Sequence, residues 1–191
     1  YQYIWKDKKN GGTLYKHLRH NGKKYNKRKG KNAGRGLIPN RIDIDQRPKI
    51  VEKKSRIGDW EIDTVIGKNH KGALVSMVDR ASKYTKIVHV ENKKASIVAD
   101  AINKSLKSLN DVVHTLTADN GKEFALHEKI ASSLNANVYF AKPYRSWERG
   151  LNEHTNGLIR QYFPKKTSFD TITYSQVKKV EFLLNSRPRK I

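Results

Sequence analysis

An α/β fold, a mixed sheet with helices on both faces, is predicted for residues 58–191 by two observations, and a third sets the preceding segment apart. Three strand-like patterns follow one another with only turns between them, and helical and strand patterns then alternate to the end of the chain. Residues 1–57 instead hold 18 of the 40 Lys+Arg but only 4 of the 18 Asp+Glu. Hairpin strands followed by alternating elements close into one covered sheet.

The strand over Asp59–Ile66 alternates at period two, with Trp60, Ile62 and Ile66 on one face and Glu61, Asp63 and Val65 on the other. A turn at 67–72 leads to strands over Ala73–Asp79 and Tyr84–Val90, giving an antiparallel meander. Between Ala95 and Leu109, Ile97, Val98, Ala101, Ile102, Leu106 and Leu109 recur at helical spacing. The β-branched run Val112–Ala118 predicts a fourth strand that ends at Asp119-Asn120-Gly121, a turn signal at a sheet edge. A short helix near 123–133, a strand at 137–140, and helices near 148–160 and 174–185 complete the order.

The length, 191 residues, suits one domain with a sizeable core plus an extension. With no cysteine there is no disulfide framework, Cys-ligated zinc or thiol nucleophile, and a reducing, cytoplasmic setting is expected. No apolar run reaches the 18 or so residues of a membrane span, and the seven histidines show no HExxH-type spacing. The net charge of +22 is densest at 16–31, where Lys23, Lys24, Lys27, Arg28 and Lys29 cluster among Gly and Asn without an apolar period. This reads as an extended arm that gains affinity from a polyanion by releasing counterions, and DNA is the expected partner. Ile38–Pro48 reads as an extended linker, because each Pro disfavours helix before it. The domains expected are therefore a DNA-contacting arm and linker, 1–57, and a catalytic core, 58–191.

Asp63 stands mid-strand among apolar residues, where a carboxylate is disfavoured unless it is paired, at an edge or holding a cation. Asp119 closes the fourth strand with 55 residues between it and Asp63, and Glu153 lies in a helix after a further 33 intervening residues. Taken singly, Asp119 is an ordinary turn residue and Glu153 an ordinary helix residue. Their order, spacing and placement suit a shared metal site.

The blocks Gly58–Thr64, Thr117–Phe124, Pro143–Gly150, Asn152–Gln161 and Asn185–Lys190 resemble the DDE transposases and retroviral integrases, and more closely the insertion-sequence transposases of the IS-thirty family. The arm, through Gly12–Arg19, is similar too. The resemblance implies an RNase H-like catalytic core in which Asp63, Asp119 and Glu153 hold two Mg²⁺ ions, replaceable by Mn²⁺. Hard cations of this kind prefer oxygen ligands and can stand about 3.5–4 Å apart across a scissile phosphate. It implies hydrolysis that frees a 3′-hydroxyl at the element end, then attack by that hydroxyl on target DNA. A homo-oligomer assembled on DNA in the bacterial cytoplasm and nucleoid follows from the same resemblance. Leu151 and His154 depart from the family pattern, and the missing amino-terminal end-recognition region and absent initiating Met make the chain read as a core fragment.

Glu148 is the rival third carboxylate, but five helical residues rotate it about 140° from Glu153. Asn156 and Arg160 share the face of Glu153 and are expected to contact DNA, Arg160 with the alternative of a solvated helix charge. Lys122, Lys142, Arg145 and Arg149 flank the site as further DNA contacts, with Lys68 and Lys71 nearby. Trp147 either anchors its loop or stacks on a flipped base. Glu61, Asp59, Asp79 and Glu123 are expected either to be structural or to support the ligands from behind. The alternatives are an RNase H-like nuclease or retroviral-type integrase, and a non-catalytic basic nucleic-acid-binding protein.

Overall fold

The computed structural model describes residues 2–18, 38–142 and 145–188, with Ser146 and Trp147 described by their backbone alone. The basic cluster from Lys23 to Lys29 and the Trp147 side chain lie outside the described parts. Two units are present, Tyr1–Leu37 and Ile38–Ile191. In the first, helix α1 (Gln2–Lys9) is followed by a 3-10 turn at Leu14–His17. Asp7 joins the two by accepting the Leu14 N–H at 3.0 Å, and the Lys8 ammonium sits 4.1 Å from the centre of the Tyr15 ring.

Residues 38–57, expected to belong with the arm and its Ile38–Pro48 linker, fall instead in the second unit, and the reason is apolar. Ile38, Ile44 and Val51 are buried in it. The prolines that forbid helix leave an extended chain whose backbone finds a free sheet edge. Strand β1 (Ile42–Asp43) is followed by a short helix, α2 (Lys49–Lys53), which starts after Pro48, a residue suited to a helix start.

Strands β2 (Asp59–Ile66), β3 (Ala73–Asp79) and β4 (Thr85–Val90) form the predicted meander. Helix α3 (Ala95–Leu106) crosses back, a 3-10 stretch over Lys107–Val112 takes up residues expected as helix or strand, and β5 is Thr115–Ala118. Helix α4 (His127–Leu134), β6 (Asn137–Phe140), α5 (Gly150–Tyr162) and α6 (Tyr174–Asn185) follow. The six strands are ordered β1-β6-β5-β2-β3-β4, with β2–β3–β4 antiparallel and β2–β5–β6–β1 parallel.

The alternation in β2 separates two cores. Trp60 and Ile62 join Met77, Leu116, Val98, Ile102, Leu106 and Ile130 on the α3/α4 face. Val65 joins Leu74, Ile87, Ile159, Phe163, Val177 and Leu184 on the α5/α6 face. Glu61 and Asp63 share the face of Val65, so both carboxylates look toward α5. Gly58 enters β2 with φ +103°, and a Cβ there would lie 1.7 Å from the Val112 carbonyl oxygen. The outer strand β4 is covered by side chains of α6: Asn185 bonds both the N–H and the C=O of Thr85 at 2.8 Å, and Glu181 accepts the Ile87 N–H at 2.6 Å. These bonds occupy the first half of that edge and block strand pairing there.

Candidate active site

The site grows from strand register. In the parallel pair β2–β5, Asp59 lies opposite Thr115 and Glu61 opposite Thr117. Continued by two residues, that register sets Asp63 beside Asp119, just past the last paired residue of β5. Both carboxylates reach the Arg149 guanidinium, 3.5 Å from Asp63 Oδ2 and 3.7 Å from Asp119 Oδ2, and Arg149 is fixed by donating to the Ile62 carbonyl at 3.1 Å. A cation therefore stands between the two aspartates.

Asp63 is the more enclosed, 18% exposed against 43% for Asp119. Burial pushes the Asp63 carboxyl above the usual aspartate range. Arg149 and the Thr64 N–H, 2.8 Å from Oδ1, work against that rise, and neighbouring Asp119 and Glu123 add to it. Asn156 on α5 donates to Asp63 Oδ2 at 3.0 Å and accepts from the Ser76 hydroxyl at 2.9 Å. Asp119 folds its own turn, Oδ1 accepting the Gly121 N–H at 2.8 Å. The nearby Glu123 is buried and accepts from the Thr64 hydroxyl at 2.9 Å.

Glu153 is exposed on α5 and has no hydrogen bond or ion pair among the described residues. It projects about 60° around the helix from Asn156, whose amide reaches Asp63. Among the described residues no group of three His, Cys, Asp or Glu side chains is close enough to hold a metal ion. The structure thus brings Asp63 and Asp119 together and leaves Glu153 at the flank.

The remaining predicted residues divide by what they touch. Glu148 is spent on its loop, accepting the Lys142 N–H at 2.8 Å and pairing with Arg145 at 3.5 Å. The Lys142 ammonium pairs with Asp45. Arg160 donates to the Ile66 carbonyl at 2.7 Å and lies over the Phe169 ring. Lys122 is exposed without a partner among the described residues, and Arg145 is about half exposed. Glu61 is buried, ion-paired with Arg80 at 2.6 Å, and accepts the Asn152 N–H at 3.1 Å, which ties the first turn of α5 to β2. Asp59 pairs with Arg56 and accepts from the Thr115 hydroxyl, and Asp79 accepts the Ser82 N–H inside the β3–β4 turn and the Gly58 N–H at the entry of β2. Sequence reasoning missed Arg41 and Arg47, which reach Asn120 and Thr117 beside Asp119. Their only signal was the apolar spacing of Ile38, Ile42 and Ile44 around them.

A family model described as integrase core domain matches residues 53–146. The transposase for insertion sequence element IS4351 of Bacteroides fragilis is 56% identical over 190 residues, covering 100% of this chain and 58% of that protein. Transposase InsI for insertion sequence element IS30A of Escherichia coli K12 is 38% identical over 174 residues, covering 91% of this chain and 44% of its own length. The chain belongs to the IS30 family of DDE transposases. The chain thus spans about half the length of the curated relatives it matches.

Among solved structures, the catalytic core domain of BIV integrase aligns with a TM-score of 0.52 at 20% identity, over 70% of this chain and 87% of its own. The HTLV-2 integrase catalytic core domain, solved in complex with magnesium in a dimeric form, aligns at 0.53 and 19%, over 70% and 90%. At those identities the likeness establishes the fold, which is RNase H-like.

Integrase-type transposases bind DNA and work with divalent metal ions. The donor set here fits such an ion: two aspartates with hard oxygen atoms converge on a position that already attracts a cation. No helix among the described residues is long and apolar enough to cross a membrane.

Proposed function

We propose that this chain is the catalytic core of a transposase that hydrolyses DNA at insertion-sequence ends and transfers the freed 3′-hydroxyl into target DNA. The observation that carries the proposal is the convergence of Asp63 and Asp119, from adjacent parallel strands, on the Arg149 cation. Asp63 and Asp119 would hold divalent ions, two Mg²⁺ with Mn²⁺ as substitute, and Glu153 would complete the second position from its exposed place on α5. Such ions, when bound, lower the proton affinity of the attacking oxygen and stabilise the leaving one.

The chain's own residues prepare this arrangement. Asn156 and the Thr64 N–H fix the Asp63 carboxylate, the Gly121 N–H fixes that of Asp119, and Arg149 screens the repulsion between them. Were bound cations to take over that screening, the two-pronged Arg149 guanidinium would be placed to donate to two oxygens of a DNA phosphate. Lys122 and Arg145, with the Lys23–Lys29 cluster of the arm, would bind the DNA backbone. In the first step a water oxygen bonds to phosphorus and the 3′-oxygen leaves with a proton. In the second, that 3′-hydroxyl bonds to a target phosphorus, displaces the target's own 3′-oxygen and conserves the number of phosphodiesters. DNA ends and target are the proposed partners, with two or more copies of the chain assembled on them in the bacterial cytoplasm.

The test supplies a duplex ending in the insertion-sequence terminus, a supercoiled plasmid and Mn²⁺ at low salt. Joined product is expected with the natural protein and none with Asp63→Asn, Asp119→Asn or Glu153→Gln, each still binding DNA. Nicking without joining would identify a nuclease, and joining that survives the amides would refute the assigned residues.

A further inference from the structure

We propose that Arg41 and Arg47, from the strap of residues 38–47 ahead of β2, are positioning residues that set the geometry of Asp119; the proposal rests on Asp119 being a metal ligand. Asp119 follows Ala118, the last residue of β5, so the sheet ladder stops just before it. Its backbone is held instead through its neighbours. Two residues earlier, Thr117 Oγ1 accepts from Arg47 Nη1 at 2.8 Å. One residue later, Asn120 Oδ1 accepts from Arg41 Nη1 while Asn120 Nδ2 donates to the Ala141 carbonyl.

Both grips are themselves anchored. The Arg47 side chain is 2% exposed and pairs with Glu52, and Thr117 is fully buried, so this hydrogen bond is shielded from water. Arg41 is oriented by Asp43 at 2.9 Å. The strap is pinned by the parallel pairing of Ile42 and Asp43 with Tyr139 and Phe140. His127 Nε2 meets the Pro39 carbonyl at 3.0 Å, and Asn40 donates to Glu128 at 3.0 Å. The match to the integrase core starts at residue 53, so the whole strap lies outside it. This added edge of the sheet reaches to both sides of the aspartate that the sheet itself leaves unsecured.

Groups that orient a ligand commonly set metal affinity by 10–100-fold without touching the ion. Direct Mn²⁺ titration of the metal-free protein, followed by the electron paramagnetic resonance signal of free Mn²⁺, reads this without any need for turnover. The proteins compared are the natural one, Arg41→Ala, Arg41→Lys and Asp119→Asn, each with its Tm in metal-free buffer. Arg41 is a quarter exposed, so the fold is expected to survive, with Tm within about 2 °C. Arg41→Ala should then bind Mn²⁺ about tenfold more weakly, and Arg41→Lys, which keeps a donor but loses the fork, should recover part of that loss.

If Arg41→Ala unfolds, Arg41→Lys carries the test with an expected loss of several-fold. Unchanged Mn²⁺ affinity in the folded Arg41 variant, with Asp119→Asn weakened, would overturn the strap's role and leave the ligand assignment standing. Unchanged affinity in Asp119→Asn, or no Mn²⁺ binding by the natural protein, would overturn both.

Discussion

The Asp63 carboxylate is half-buried beside two other acids and answered by one guanidinium 3.5 Å away, an arrangement that favours binding a cation over stability without one. Asp63→Asn is therefore expected to raise the Tm of the metal-free protein, by about 2–4 °C for each kcal/mol relieved in a domain of this size. Thermal melting in chelator checks this. Glu153, exposed and unpartnered among the described residues, should behave differently: Glu153→Gln leaves that Tm within about 1 °C and abolishes cleavage. Asp59 is the structural contrast. Burial opposes its ionisation, but the Arg56 guanidinium and the Thr115 hydroxyl outweigh it and hold the carboxyl below the usual range. A lowered folded-state pKa stabilises above the unfolded value, and the gain is lost as pH falls through the folded one. Asp59→Asn should thus cost about 1–3 kcal/mol at neutral pH, a deficit that closes below about pH 4. Denaturant melts across pH 2–7 measure it.

Gly58 sits where β2 must start against the 3-10 stretch before β5, with positive φ and no room for a methyl group. Gly58→Ala is expected to cost more than about 2 kcal/mol and to lower the denaturant midpoint with an unchanged m-value. The strands β2, β3 and β6 were legible to the residue, because each is a short run of apolar and β-branched residues bounded by turn signals, whether it alternates between two environments as β2 does or is buried on both faces as β3 is. The start of β5 was not, because Val112–His114 has strand-like residues but is consumed by the turn that Gly58 packs against. The strap was read as linker because its two strand residues gain their pairing from β6, nearly 100 residues away, and the apolar spacing of Ile38, Ile42 and Ile44 does not encode which edge they join. In the site, chain order and strand placement pointed to Asp63 and Asp119. The Arg149 bridge, the spending of Glu148 on its loop and the grip of Arg41 and Arg47 depend on tertiary proximity alone.

Across the whole molecule, half of the net charge of +22 is concentrated in the first 37 residues, away in sequence from the carboxylates of the site. Residues 1–37 hold 12 Lys+Arg and a single acid, whereas the unit from Ile38 onward holds the carboxylates of the site. Deleting 1–37 should flatten the dependence of log Kd on log salt by at least about 3, each phosphate contact contributing about 0.9. It should leave the Tm of the remaining unit nearly unchanged. Deletion to residue 57 should instead destabilise it, because Ile38, Ile44 and Val51 leave the core and Arg47 leaves Thr117. Binding isotherms at several salt concentrations and melting of both truncations separate the two effects. The account as a whole turns on whether the Asp63–Asp119 position takes a divalent ion, and Mn²⁺-soaked crystals read by anomalous diffraction test that most directly. The predicted result is an anomalous peak beside the Asp63 and Asp119 carboxylates, with Arg149 moved away. An Arg149 guanidinium still between the aspartates, with no peak at saturating Mn²⁺, would contradict it.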